Sequence, residues 1–296
     1  VYSSSPGTGL SDGSPTIGCE NESLAPKAVI DWVCGRAKGY SSRTGTEEVT
    51  AFWSTKKVGM TGTSYDGTLC IAAATTGVEG LEAIIPVAPI SSYYDYYRSN
   101  GLIRSPGGYL GEDMDVLYDF INSGDPAKRA YNDTRIRDSL LVKSIDRASG
   151  DHNAFWEGRD YLKQMDKMQA AVLMSHGFND WNVMPSHSYN FYKAAKEKGL
   201  STQLYYHQDG HGGDPPISIM NRWYTRYLHG VENDVENDDP VYIVREHDYY
   251  HTKYKAYPDF KTEQIKLHLS SKAEGLGELS MTKVANQKNE RFTDNS

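Results

Sequence analysis

Basic residues are the first deficit of this chain: 31 Lys and Arg face 39 Asp and Glu, for a net charge of −8. Without a basic stripe there is no electrostatic footprint for nucleic acid or for an anionic membrane, and neither is expected as a partner. Long apolar runs are missing too, and with a mean hydropathy of −0.62 no segment is expected to span a bilayer. Cysteine is scarce, and the 3 present cannot all pair. Cys70 falls in an alanine-rich helical stretch as a small buried hydrophobe. Cys19 and Cys34 flank a loop and a helix. A bond between them would indicate a secreted protein, whereas two reduced thiols fit the same spacing and leave the compartment open. No metal or other cofactor is expected. His207 and His211 stand four apart, but on a strand followed by a glycine turn, not on a helix that would aim both at one ion. With no methionine or signal peptide, Val1-Tyr2-Ser3 runs into Gly7, Gly9 and Gly13 like the end of a strand, and Lys288 to Ser296 is a polar tail. We expect a chain truncated at both ends.

Tyrosine, by contrast, is abundant at 22, and the 296 residues suffice for one large core and part of a second domain. The informative stretch is Val58-Gly59-Met60-Thr61-Gly62-Thr63-Ser64-Tyr65-Asp66-Gly67-Thr68. Apolar and small residues climb to Ser64, glycines stand two before and three after it, and a helical pattern from Leu69 follows at once. This is the grammar of a nucleophile elbow, in which a strand turning sharply into a helix holds a serine in a strained conformation and tolerates only small neighbours. Ser64 would stand at a helix N-terminus, with the backbone N–H of Tyr65 facing any oxyanion formed on an attacked carbonyl. The second glycine is displaced by one from G-x-S-x-G, with Asp66 in its place, and a turn in which Ser64 merely caps a helix fits the same letters.

Along the chain, Ala28, Val29, Trp32 and Val33 share a face of a helix expected over about Pro26 to Arg36. Leu81 to Ala88 is an apolar run short enough for a strand buried on both faces. Ile90 to Lys167 then breaks the rhythm with tyrosines, glycines and charged helical segments around Met114 to Asn122 and Pro126 to Leu141. We read it as a cap inserted at about 90–167 and lying over the serine. Alternation resumes with a strand at Ala170 to His176, a helix at Pro185 to Lys198, a strand at Thr202 to His207 and a helix at Pro215 to His229. That order specifies an α/β fold with a doubly wound, mostly parallel sheet. Glu232 to Asp239 reads as an acidic linker, and strands at Val241 to Arg245 and Ile265 to Leu269 as the start of an all-β domain. The expected division is 1–232 and 233–296.

In such sheets chemistry gathers at the carboxyl ends of the strands. One later strand ends at Ser175-His176-Gly177-Phe178-Asn179-Asp180, another at His207-Gln208-Asp209-Gly210-His211-Gly212-Gly213. Ser64, Asp180 and His211 thus follow the order nucleophile, acid, base. His211 would take the serine proton and return it to the leaving group, while Asp180 fixes its tautomer. His176 reads as a structural hydrogen-bonder that shapes its loop. Asp209 stands too near His211 in sequence to orient it.

With these residues in view the chain resembles the X-prolyl dipeptidyl-peptidase family of bacterial serine peptidases. The likeness is carried by the Gly62 to Thr68 stretch, by Ala28 to Trp32 with Gly35-Arg36-Ala37, and by Ala73 to Val78. It continues in Ile90-Ser91-Ser92-Tyr93-Tyr94, Ser105-Pro106-Gly107-Gly108 with Gly111-Glu112-Asp113, and His176-Gly177 with Asn179 to Val183. Its G-x-S-Y-x-G signature is shared with related ester and amide hydrolases. The resemblance implies an α/β-hydrolase with a helical cap and the start of a jelly-roll-like C-terminal domain. It implies Ser64 as nucleophile, Asp180 and His211 as its partners, and release of Xaa-Pro dipeptides from peptide N-termini through an acyl-enzyme. It further implies a proline pocket drawn from Tyr93, Tyr94, Tyr97, Asn182 and Val183, a cytoplasmic setting, a homodimer, and a second oxyanion donor, a tyrosine that family members carry ahead of the point where this chain begins. An acyl esterase or acylase on the same fold, and an inactive fragment lacking that donor, stand as alternatives. For the substrate amine, Glu112 and Asp113 are the candidate carboxylates, with plain surface charge as the competing reading.

Overall fold

A computed structural model describes residues 1–122, 125–273 and 276–287; the polar tail from Lys288 lies outside them. Val1–Lys255 make one compact unit and the residues from Ala256 a second. The first is organised on a six-stranded sheet of β1 (Val58–Thr63), β2 (Leu81–Val87), β3 (Ala171–Gly177), β4 (Thr202–His207), β5 (Val241–Val244) and β6 (His251–Tyr254). The strands lie side by side in chain order, β1 to β5 parallel and β6 antiparallel to β5.

β2 and β3 are buried along nearly their whole length because helices cover both faces of the sheet. Helix α2 (Tyr65–Thr75) covers one face, where a Cβ on Gly62 would come 2.7 Å from Asp66. Helix α6 (Ile217–His229) covers the other, where a Cβ on Gly59 would meet Tyr224 and where Trp223 joins Ala83, Ile85, Ala171 and Leu173 in one core cluster. Gly59 and Gly62 are an odd number of residues apart, so strand alternation turns them to opposite faces. Helix α5 (Ser186–Glu197) links β3 to β4. The sheet is doubly wound, as the alternation of segments predicts.

The cap lies between β2 and β3. It holds the short helix α3 (Tyr93–Tyr97), a small hairpin of Arg98–Ser99 with Leu102–Ile103, and helix α4 (Met114–Ile121). The helix expected over 126–141 is a 3₁₀ turn, one α turn and a π-helix at Asp133–Leu141 in succession. Asp113 is sealed in an ion pair with Arg98, both side chains fully buried, so it is part of the cap's interior and not surface charge.

Helix α1 spans Glu20–Val33 and so begins upstream of Pro26, which lies inside it. Glu22 turns back to accept from the amides of Ile17 and Gly18, which fixes the chain just ahead of the helix and moves its start above the proline. Cys19 and Cys34 are both free thiols at opposite ends of this 14-residue helix. About 21 Å of helix separates them, beyond the reach of a disulfide. Residues 1–5 form no strand, and Val1 and Tyr2 are exposed. Val241–Val244 and His251–Tyr254, read from sequence as opening a second domain, complete the central sheet, with β5 pairing β4 from Leu204↔Val241 to Tyr206↔Ile243. The boundary therefore falls at 255/256 and not at 232/233, and the acidic stretch from Glu232 crosses from α6 to β5 through a 3₁₀ turn at Val235–Asn237 whose Val235 is buried in the core cluster. The second unit holds an antiparallel hairpin of β7 (His268–Ala273) and β8 (Leu276–Ser280). Among the described residues no helix is long and apolar enough to cross a membrane.

Candidate active site

Ser64 sits between β1 and α2 with φ 62° and ψ −121°. A non-glycine residue held there costs on the order of 1–3 kcal/mol and persists only when its surroundings enforce it. Two backbone bonds do so: Ser64 N–H donates to Val87 O at 2.8 Å, and Thr68 N–H to Ser64 O at 2.9 Å. The glycine spacing also has a steric cause. A Cβ on Gly67 would lie 2.8 Å from both Gly62 O and Val87 O, whereas Asp66 is exposed. The position that must be bare is therefore 67, and the residue before it is free to carry a side chain.

His211 stands in the loop after β4, flanked by Gly210 and by Gly212 at φ 117°. Its Nε2 is 2.7 Å from Ser64 Oγ and its Nδ1 2.7 Å from Asp180 Oδ2. Asp180 stands in the loop after β3, and its Oδ1 accepts from the N–H groups of Asn182 and Val183, each at 2.9 Å. The two loops are in backbone contact: a side chain on Gly177 would collide with the carbonyls of Asp209 and Gly210. Burial raises the Asp180 carboxyl, but hydrogen bonds and charge from His176 and His211 outweigh it and hold the group well below the usual carboxylate range. His176 does shape its loop, with Nε2 2.9 Å from Val183 O and Nδ1 2.6 Å from Ser188 Oγ. It also stands 3.2 Å from Asp180 Oδ2, a contact that the sequence reading missed.

The residues expected to line a proline pocket separate into groups. Tyr93 and Tyr97 are fully buried, and the Tyr93 ring packs edge-on against Tyr65. Tyr94 turns into the cap, where its hydroxyl donates to Gly150 O and its ring meets His152 and Trp156. Val183 is fully buried and contributes its backbone to Asp180 and His176. Asn182 lies beside the triad-like line of residues: Oδ1 accepts from the Tyr96 hydroxyl at 3.0 Å, and Nδ2 donates to Pro106 O at 3.1 Å. Tyr96 was missed, although 93, 96 and 97 at helical spacing mark one face of α3. Arg104 fastens the same corner by donating to the carbonyls of Tyr96, Trp181 and Asn182.

Glu112 belongs to this corner and not to the surface. It is 5% exposed, its Oε2 accepts from Gly107 N–H at 2.7 Å, and burial raises its carboxyl. Tyr96 feels both Glu112 and Asp180, which, after burial itself, help push its phenol up. Among the described residues no three His, Cys, Asp or Glu side chains gather as a metal site. What the arrangement can do is activate a serine hydroxyl at a helix N-terminus beside a partly closed polar and aromatic corner.

The family model described as X-Pro dipeptidyl-peptidase (S15 family) matches residues 1–213. A Rhodopirellula baltica protein that bears the provisional name Xaa-Pro dipeptidyl-peptidase is 57% identical over 298 residues, covering 100% of this chain and 48% of its own length. The Xaa-Pro dipeptidyl-peptidase of Ligilactobacillus salivarius is 37% identical over 298 residues, 97% of this chain and 36% of that protein. The chain thus spans about half the length of the first of these relatives, and less of the second. Among solved structures, an aminopeptidase from a marine sediment archaeon, Thaumarchaeota archaeon, superposes with a TM-score of 0.60 at 14% identity, over 90% of this chain and 51% of that one. Likeness at such identity speaks for the fold, an α/β-hydrolase. With a family model matching most of its length and a relative of this identity aligned from end to end, the chain belongs to the X-Pro dipeptidyl-peptidase (S15) family of peptidases.

Proposed function

We propose that this chain carries the catalytic centre of a serine exopeptidase that releases Xaa-Pro dipeptides from peptide N-termini through an acyl-enzyme at Ser64. The observation that carries the reading is the imidazole of His211, 2.7 Å from Ser64 Oγ on one side and 2.7 Å from Asp180 Oδ2 on the other. His211 Nε2 takes the Ser64 proton as Oγ attacks the prolyl carbonyl, and Asp180, held ionised, stabilises the imidazolium. The oxyanion meets the N–H of Tyr65, the first amide of α2, which has no acceptor within its own helix. Collapse breaks the C–N bond, and His211 gives its proton to the departing amine. A water then loses its proton to His211 and attacks the ester carbon. The dipeptide leaves with its new carboxylate, and the proton returns to Ser64.

A pyrrolidine ring is flat, apolar and without an N–H, so aromatic walls receive it at little entropic cost. The pocket reading rests on Tyr96 and Asn182 beside the triad, with Tyr93 and Tyr97 packed behind them. Glu112, buried beside Gly107 in the same corner as Asn182, is our candidate for the carboxylate that meets the substrate's terminal ammonium. Two measurements on the purified protein test the whole. A fluorophosphonate should label Ser64 and not an S64A variant. Ala-Pro-p-nitroanilide should be cleaved with a kcat/KM well above that for a simple phenyl ester; the reverse preference would move the protein to the acyl-esterase reading.

A further inference from the structure

Behind the elbow lies a buried carboxylate that the proposed chemistry does not use. Glu22 is 1% exposed. Its Oε1 accepts from Ile17 N–H at 2.9 Å, and its Oε2 accepts both from Gly18 N–H at 3.0 Å and from the Tyr65 hydroxyl at 2.5 Å. The surroundings are equally constrained. Ile17 is held at φ 51°, and Arg159 donates to Ile17 O at 2.7 Å and to Thr16 O at 2.9 Å. Gly18 is pressed against the Tyr93 ring so closely that no Cβ fits. Burial pushes the Glu22 carboxyl up, and the Tyr65 hydroxyl, the two amides and Arg159 oppose it. A carboxylate sealed from water is expensive unless its donors are supplied, and here three are.

What makes this cluster more than a satisfied core group is the identity of its third donor. Tyr65 follows the nucleophile and contributes the backbone N–H aimed at the oxyanion. Tyr65 is the first residue of α2, and with its φ held at the helical value a Cα–Cβ bond anchored through the hydroxyl also constrains the peptide unit that carries the N–H. Oxyanion donors act by being fixed before the charge develops. We propose that Glu22 is a positioning residue for the reaction: by gripping the Tyr65 hydroxyl it pins the residue after the nucleophile and holds its N–H in line with the oxyanion. This rests on the serine-hydrolase reading above and extends it to a residue outside the triad.

The test separates positioning from mere packing. Y65F keeps the ring and the backbone N–H and deletes only the hydroxyl; E22Q keeps the shape and gives up one acceptor. With Ala-Pro-p-nitroanilide, Y65F should lose kcat by roughly ten-fold, a fraction of the 100 to 1,000-fold that follows removal of a whole oxyanion donor, with KM within about two-fold. Its melting temperature should stay close to wild type, and labelling of Ser64 by a fluorophosphonate should slow in parallel. E22Q should lose kcat at least as much, and the E22Q/Y65F double variant should be no slower than the slower single, because the two changes break one contact. A Y65F protein with wild-type kcat and a lowered melting temperature would reduce Glu22 to a structural group, as would losses that multiply in the double variant. If E22Q does not fold, Y65F decides alone. A wild-type protein that neither cleaves the anilide nor labels at Ser64 removes the hydrolase reading itself. Active wild type beside fully active Y65F removes only the role of Glu22.

Discussion

Asp180 Oδ2 stands 3.2 Å from Nε2 of His176 as well as accepting from His211, so one carboxylate oxygen serves two imidazoles. His176 is fully buried and ties this oxygen to Ser188 and to the carbonyl of Val183. H176F fills the space without the nitrogen atoms and leaves those partners unpaired, at about 1–3 kcal/mol for each buried group stranded. The expected outcome is a lower midpoint in urea together with a reduced kcat at unchanged KM. A variant that is destabilised but keeps full kcat would show that His211 alone suffices to orient the carboxylate.

His187 lies nearby, fully sealed, with Nδ1 accepting from Ser91 N–H at 3.2 Å. Burial first, then the charges of His176 and Arg104, lower it from 6.5 to about 3. The folded protein therefore keeps this ring neutral where the unfolded chain protonates it. The contribution is fully present above pH 6.5 and is lost as pH falls from there toward 3. Between pH 7.5 and 5 the wild-type melting temperature should fall more steeply than that of H187Q, even though the variant starts lower for want of the Ser91 bond. Parallel slopes would remove His187 from the acid response.

The elbow offers a paired test of why its glycines stand where they do. G67A places a Cβ 2.8 Å from two backbone oxygens that belong to β1 and β2 and cannot retreat. It should either displace Ser64, with loss of fluorophosphonate labelling, or lower stability by about 2–4 kcal/mol, in the range of strained or overpacked sites. D66G restores the commoner glycine spacing at an exposed position. It should cost only about 1 kcal/mol, the helix propensity of glycine plus the lost acid in the first turn of α2, and leave the labelling rate near wild type. A benign G67A would mean that the strand and helix can part at this point without consequence.

Much of this was legible in the chain because it is written in short-range spacing. The strand before Ser64, the loop glycines around His211 and the alternation of strands and helices are local signals, and they bring residues 64, 180 and 211 to one rim of one sheet. Tyr96 was legible too, since 93, 96 and 97 recur at helical spacing, but a run of four tyrosines hid which of them shared a face. The boundary at Lys255 was not. β5 and the edge strand β6 carry polar spacers that look like those of a separate antiparallel domain, and only the pairing of β5 with β4 and of β6 with β5 assigns them to the sheet. Glu22 and Glu112 were illegible for a different reason. A carboxylate in a loop or helix start reads as solvent-facing unless one knows which amides fold back onto it, and that depends on contacts distant in sequence.

Glu112 leads to the last expectation. It is 5% exposed, it sits one residue from the Pro106–Asn182 contact through Gly107, and burial raises its carboxyl, with Asp113 and Asp115 adding repulsion. That carboxylate accepts from the Gly107 amide, lies near the Tyr97 hydroxyl and stands in the field of Arg104, so an arriving ammonium adds a charge-assisted bond in a half-dry setting. If this is where the free amine of the substrate is held, E112Q should raise KM for Ala-Pro-p-nitroanilide by roughly ten- to a hundred-fold, the 1.5–3 kcal/mol of a hydrogen bond to a charged group, with kcat changed far less. The N-acetylated anilide, which has no ammonium, should be a poor substrate for both proteins and should not distinguish them. The wild-type KM should also climb as pH falls through the raised carboxyl, because the protonated acid no longer pairs, while the E112Q KM stays flat over the same range. An unchanged KM in E112Q, with the N-acetyl discrimination intact, would place the amine on some other group.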